Sequence, residues 1–339
     1  MAVLCAYDPR EQQHDRAGHP ENRGRLENTL RLLQEDGIWD RLEHVDVVAA
    51  DRDVLEYAHS RAHVDAVEAA AARGGDFLDP DTYCGPHSAE AARVAAGAVA
   101  GLLPEVLTGR RGFALVRPPG HHATSVTPMG FCLFNNVAVA AQVARLEHGV
   151  ERVLIIDWDV HHGNGTEEIF YSDGAVGFFS VHQAPPFYPG TGKWDDRGSD
   201  AGKGATVNVP IPAGVGDDGY REILERVLVP FARGFAPELI IVSAGYDAHW
   251  RDPLAGECLS LQGFGDWTRG VMDLADELCA GRVLCALEGG YDQEVLPHAV
   301  LNTLRLLEDP TAELSDPFGL PAAASAAPAE LLQRIEGAL

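Results

Sequence analysis

Lysine is almost absent from this chain. Only Lys193 and Lys203 occur among 339 residues, so nearly all the positive charge is arginine. Lys plus Arg total 26 against 51 Asp plus Glu, a formal net charge of −25. That balance argues against nucleic acid as a direct partner, because a surface must neutralise phosphates to bind them. It suits cationic partners or plain solubility, and it fits both a GC-rich genome and a salty cytoplasm. Also missing is any apolar run near the ~18–20 residues of a membrane-spanning helix. The segment "MAVLCAYDPREQQ" has neither the basic start nor the apolar stretch of a secretory leader, so a cytoplasmic location is expected. There is no CxxC spacing either. Cys5, Cys84, Cys132, Cys258, Cys279 and Cys285 stand apart, mostly in apolar surroundings, and read as small buried hydrophobes.

What is present is alternation. Short apolar runs recur: "AVLCAY", "HVDVVAA", "GFALVRP", "RVLIIDWD", "VGFFSV", "ATVNVPI", "LIIVSAG" and "RVLCALEG". Continuous runs rich in β-branched residues fit strands buried on both faces, as in a parallel sheet. Helical patterns separate them, among them "RGRLENTLRLLQEDG", "SAEAARVAAGAVAGLL", "NNVAVAAQVARLEHG", "YREILERVLVPFARGF" and "FGDWTRGVMDLADELCAG". The pattern predicts an α/β fold, a single three-layer domain around a mainly parallel sheet of about eight strands. The domain is expected over residues 1–308, and the Ala/Pro-rich tail, 309–339, as a flexible stretch with a peripheral helix.

In such sheets, sites form at the carboxyl ends of strands. Four predicted strands end in unusual chemistry: "ALVRP" runs into "PGHHA", "VLIID" into "WDVHHGNGT", "IIVSAG" into "YDAHWRDP" and "LCALEGG" into "YD". Residues two apart on extended backbone point the same way, so Asp159 and His161 can share one ion, with Asp247 arriving from another strand. Two carboxylates and an imidazole leave a coordination position open for water, as a catalytic zinc site requires. An oxygen-rich set of this kind also accommodates Fe(II).

The chain here resembles the zinc-dependent histone-deacetylase and acetylpolyamine-amidohydrolase superfamily, whose fold is related to arginase. The resemblance runs from residue 3 to roughly 308. It rests on "HPE" (19–21), "RPPGHHA" (117–123), "GFCLFNN" (130–136), "DWDVHHGNGTEEIFY" (157–171), "FYPGTG" (187–192), "SAGYDAHWRDPLAG" (243–256) and "LEGGYD" (287–292). The wording is most similar to the family's class II-like branch, which includes many bacterial members.

The resemblance implies zinc on Asp159, His161 and Asp247. It makes His121 and His122 the acid/base pair, with His122 as base, and Tyr291 the donor to the developing oxyanion. It implies a monovalent cation, usually potassium, on Asp157, Ser180 and the carbonyls of Asp159, His161 and Val181. Asp157 would contact His121, and Asn164 would orient His122 without adding negative charge; His162 is expected to be structural. Gly130, Phe131 and Tyr188 would line a narrow substrate channel. Leu254 falls at the family's substrate-discriminating position, where eukaryotic polyamine deacetylases carry Glu.

Leu254 argues for acyl-lysine on a peptide or protein, and the short segment "DPREQQHDRAG" before "HPE" argues for an open mouth. Acidic Glu11, Asp15 and Glu21 are expected near that mouth, where they would attract a polyamine. The expected activity is therefore zinc-dependent deacetylation of lysine side chains. An acetylpolyamine amidohydrolase, another small-amide or ester deacylase, and a catalytically silent reader of acylated lysine are the alternatives. A two-manganese ureohydrolase would want further acids where His162 and Asn164 stand. A homo-oligomer is compatible with all of these readings.

Overall fold

The protein is described from a computed structural model covering residues 2–339. Its strands are β1 (Leu4–Ala6), β2 (Glu43–Val45), β3 (Asp76–Phe77), β4 (Tyr83–Cys84), β5 (Arg111–Ala114), β6 (Val153–Asp157), β7 (Val176–Gln183), β8 (Thr206–Ile211), β9 (Leu239–Ala244) and β10 (Val283–Leu287). Eight of them form one sheet in the order β2-β1-β5-β10-β9-β6-β7-β8, and every pairing in it is parallel. The sheet expected as mainly parallel is entirely so. β3 and β4 make a separate antiparallel ribbon that no apolar run announced.

Burial explains the composition of the central strands. Every residue of "VLIID", "LIIVSA" and "VLCAL" is buried, because helices cover both faces. The helices Gly24–Asp36, Leu261–Leu278 and Val295–Glu308 pack together on one side, and Ser88–Gly101 packs on Asn136–Leu146. Local chemistry sets their ends. The Asn135 side chain accepts the Ala138 N–H, the Ser260 hydroxyl accepts the Gly263 N–H, and Gly37 closes the first helix at φ 79°.

One expected helix is broken. The stretch "YREILERVLVPFARGF" divides into Asp217–Ile223, a wide π turn over Leu224–Leu228, and Val229–Phe235. Pro230 has no N–H to give and its ring crowds the turn before it, so the helix widens there and the Val229 N–H reaches back to the Leu224 carbonyl.

The tail stays on the body. Ser315 exchanges hydrogen bonds with Asn302, Ser325 pairs with Val215, and the helix Ala329–Glu336 buries Leu332 and Ile335 in the common core. Among the described residues no helix is long and apolar enough to cross a membrane. Parallel pairing puts the carboxyl ends of all eight strands on one side, which is where the notable side chains gather.

Candidate active site

Four loops carry the metal-type side chains, the histidine pair and Tyr291, and the loop after β7 and the β3–β4 turn add to the wall of the site. The four follow β5, β6, β9 and β10, the four central strands that the sequence marked by their polar endings. Asp159 and His161 come from the loop after β6, and Asp247 from the loop after β9. One ligand-type atom of each lies within 4.8 Å of the others. His161 Nδ1 stands 3.1 Å from Asp159 Oδ1 and 3.2 Å from Asp247 Oδ2. Backbone donors aim the carboxylates: the Gly289 N–H donates to Asp159 Oδ2 at 2.7 Å, and the Val160 N–H to Asp247 Oδ1 at 2.9 Å.

Two glycines make room for them. A Cβ on Gly245 would sit 2.1 Å from Asp159 Oδ2, and one on Gly289 2.1 Å from Asp247 Oδ2. Burial resists charge on His161, but its hydrogen bonds to Asp159 and Asp247 outweigh this and raise its pKa to about 10. Two buried carboxylates thus demand a positive charge between them, and the cluster fits a divalent cation by donor chemistry and spacing.

Beside the cluster lie His121 and His122, both buried and with ring centroids 4.0 Å apart. His121 Nδ1 meets Asp157 Oδ2 at 3.0 Å, and His122 Nδ1 meets Asn164 Oδ1 at 2.8 Å. The Asn164 amide also donates to Met129 Sδ at 3.4 Å, so its oxygen faces His122. Neutral His122 therefore carries its proton on Nδ1 and keeps the Nε2 lone pair free. Their surroundings push the two rings in opposite directions. Burial opposes charging of His121, yet Asp159 and Asp157 lift its pKa to about 10. Burial, then the charges of His121 and His161, drive His122 well below the usual imidazole range.

A narrow cavity of about 350 Å³ opens above these groups, with Gly130, Phe131, Tyr188, Leu254 and Tyr291 in its wall and His122 and His161 at its floor. Gly130 (φ 57°) and Phe131 (φ 69°) both sit in the left-handed region, and a Cβ on Gly130 would strike the His122 ring at 2.4 Å. The Thr82 hydroxyl accepts the Phe131 N–H at 3.0 Å, which holds that conformation. The Phe131 and Tyr291 rings meet edge to face at 5.8 Å, and Tyr188 stands over His122 at 5.1 Å.

Asp157 and Ser180 are register partners on β6 and β7, next to buried Val181. His162 is also buried, with Nδ1 against the Thr191 hydroxyl at 2.8 Å.

Two acidic residues expected at the mouth point inward. Glu21 and Glu11 are fully buried. Arg117 grips Glu21 through two nitrogens, one at 2.7 Å, and Arg25 approaches it at 3.2 Å. Burial works against the charge of Glu21, but Arg117 prevails and holds its pKa at about 2. Asp15 pairs with Arg23 instead. The acid that does line the cavity is Asp81, at the end of the β3–β4 turn.

Four more residues escaped the sequence reading. Phe187 stacks on His161 at 4.9 Å. Glu288 accepts the N–H groups of Gly120 and His121 at 2.6 and 3.1 Å. Arg25 donates to the Gly290 carbonyl at 2.7 Å. Asp252 binds the loop that carries Tyr291. Glu288 stood inside the quoted "LEGGYD" and Asp252 inside "RDPLAG", so their presence was visible but their partners were not.

Sheet and site together define an α/β protein of the arginase-like architecture, with its chemistry at the carboxyl edge. The model of the histone deacetylase domain matches residues 19–307, and the chain belongs to the histone deacetylase family. It is 41% identical over 307 residues to a probable deacetylase of Methanothermobacter thermautotrophicus, covering 90% of this chain and 91% of that one. It is 38% identical to the histone deacetylase-like amidohydrolase of Pseudomonas aeruginosa, covering 89% and 80%. Histone deacetylase 10, chloroplastic, of Oryza sativa subsp. japonica is 40% identical, covering 90% and 73%. The crystal structure of the HDA15 HD domain superposes with a TM-score of 0.86 at 39% identity, covering 91% of each chain. The family carries deacetylase and amidohydrolase activity, and this chain is a hydrolase of that kind.

Proposed function

We propose that this hydrolase removes acetyl or other short acyl groups from the ε-amine of lysine in peptides or proteins, with zinc on Asp159, His161 and Asp247. The observation that carries the reading is the channel. It is walled by Phe131 and Tyr188, has apolar Leu254 in its lining, and reaches down to His122 and His161. That shape suits a butyl stem with a polar amide at its tip. A bound zinc supplies Lewis acidity at the acyl carbonyl and lowers the pKa of water beside it. His122, with Nε2 free, takes a proton from that water, and the histidine pair returns one to the departing amine. The Tyr291 phenol donates to the oxygen on which negative charge develops. Phe131 and Tyr188 exclude bulk water. Asp157, Ser180 and the carbonyls of Asp159, His161 and Val181 would hold a monovalent cation such as potassium, which would supply positive charge beside Asp157. Fe(II) is the alternative metal for the oxygen-rich set.

The test strips the protein with a chelator and follows hydrolysis of a fluorogenic acetyl-lysine peptide. Activity vanishes and returns on adding zinc up to one ion per chain; full activity in metal-free protein would end the proposal. The second reading is deacylation of a small acetylated amine, favoured by Asp81 in the cavity wall. The ratio of kcat/KM for the peptide to that for acetylspermidine separates the two, and the first reading requires the peptide to lead.

A further inference from the structure

The loop after β9 does more than deliver Asp247. Five residues on, Asp252 is 7% exposed and makes no ion pair with any described arginine or lysine. Its two oxygens serve two different loops. Oδ1 accepts the Leu254 N–H at 2.9 Å, within its own turn. Oδ2 accepts the Tyr291 N–H at 2.7 Å and the Asp292 N–H at 3.3 Å, across on the loop after β10. Leu254 and Tyr291 both line the substrate cavity.

The backbone before Tyr291 is tied residue by residue. The Gly289 N–H goes to Asp159, the Gly289 carbonyl to the Tyr246 N–H, and the Gly290 carbonyl to Arg25. Gly290 then turns at φ 116°, where the chain swings out toward the cavity. The Asp252 carboxylate is the group that catches the chain immediately after that turn. A nearby second tie reinforces it: Arg251 reaches Asp292 at 3.3 Å and Glu294 at 2.7 Å.

We propose that Asp252 is a positioning residue that sets where the Tyr291 phenol stands and, through its other oxygen, where Leu254 limits the channel. One carboxylate thereby couples fit at the channel wall to turnover at the floor. The proposal rests on the oxyanion role given to Tyr291 above. A displacement of about 1 Å in a group aimed at the reacting atoms costs on the order of 10²-fold in rate, so the catch is large enough to matter.

The test is a double-mutant cycle of Asp252→Ala and Tyr291→Phe on an acetyl-lysine peptide, with bound metal counted in each variant. Asp252→Ala alone lowers kcat by about 10- to 100-fold and changes KM by about twofold or more, while metal content holds. In the Tyr291→Phe background the same substitution costs less than about twofold in kcat, yet the KM change persists. Asp252→Asn keeps one acceptor oxygen and gives a smaller loss along the same axis; it carries the cycle if the alanine variant does not fold. An equal kcat cost in both backgrounds, or loss of metal, means Asp252 acts elsewhere and overturns the proposal. If Tyr291→Phe alone leaves kcat unchanged, the oxyanion reading fails first and takes this one with it.

Discussion

At the scale of single residues, the site turns on what each titratable group faces. His122 faces an amide, not a carboxylate, at 2.8 Å. Asn164→Asp places a negative charge there, which favours the imidazolium and raises the His122 pKa. A base must be neutral to act, so the acid limb of the kcat/KM profile moves to higher pH. An unmoved limb would assign the base elsewhere. The neutral partner at Asn164 was legible only through the family resemblance, which sets a polar residue at that place in "DWDVHHGN" against the second histidine; nothing in the spacing alone points to it. Glu21 was not. Its charge suggested the surface, but Arg117, 96 residues along the chain, draws it wholly inside. Glu288 and Asp252 were missed for a related reason. They act by accepting backbone N–H groups, and every residue except proline offers one, so no spacing marks the partner.

At the scale of elements, seven of the eight long-sheet strands were legible because parallel strands buried on both faces stand out as apolar runs, whereas the edge strand β2, "EHV", is exposed or half-buried and meets the run "HVDVVAA" at only two residues. The ribbon of β3 and β4 was not, with two residues in each strand. Pro230 did advertise the break in the helix after β8, and the apolar periodicity running through it hid the signal. Loop glycines carry a sharper lesson. Gly245 follows β9 directly, and any side chain there would overlap the Asp159 carboxylate. Gly245→Ala is therefore expected to keep the sheet and lose the cluster. Circular dichroism stays near that of the wild type, while bound divalent metal falls well below the wild-type content and turnover falls with it. An alanine variant that retains full metal would show that Asp159 can retreat.

At the scale of the whole molecule, the charge of −25 acts at a distance. An acetyl-lysine peptide flanked by arginines gathers near such a surface, and its kcat/KM drops severalfold between about 0.1 and 1 M salt, as the Debye length shrinks from roughly 10 to 3 Å. A peptide with neutral flanks changes little over the same range; equal responses would confine the effect to the pocket. The order of strands in the sheet bears on how the molecule is made. β9 and β10 sit at its centre yet are the last strands synthesised. When β8 has been made, the strands β2-β1-β5 and β6-β7-β8 have no partner yet to join them. Either group, if it paired that early, would present an unpaired edge of the kind that captures other chains until residues 239–287 emerged to close it. Asp247 arrives with those residues too, so Asp159 and His161 lack their third partner for the same interval.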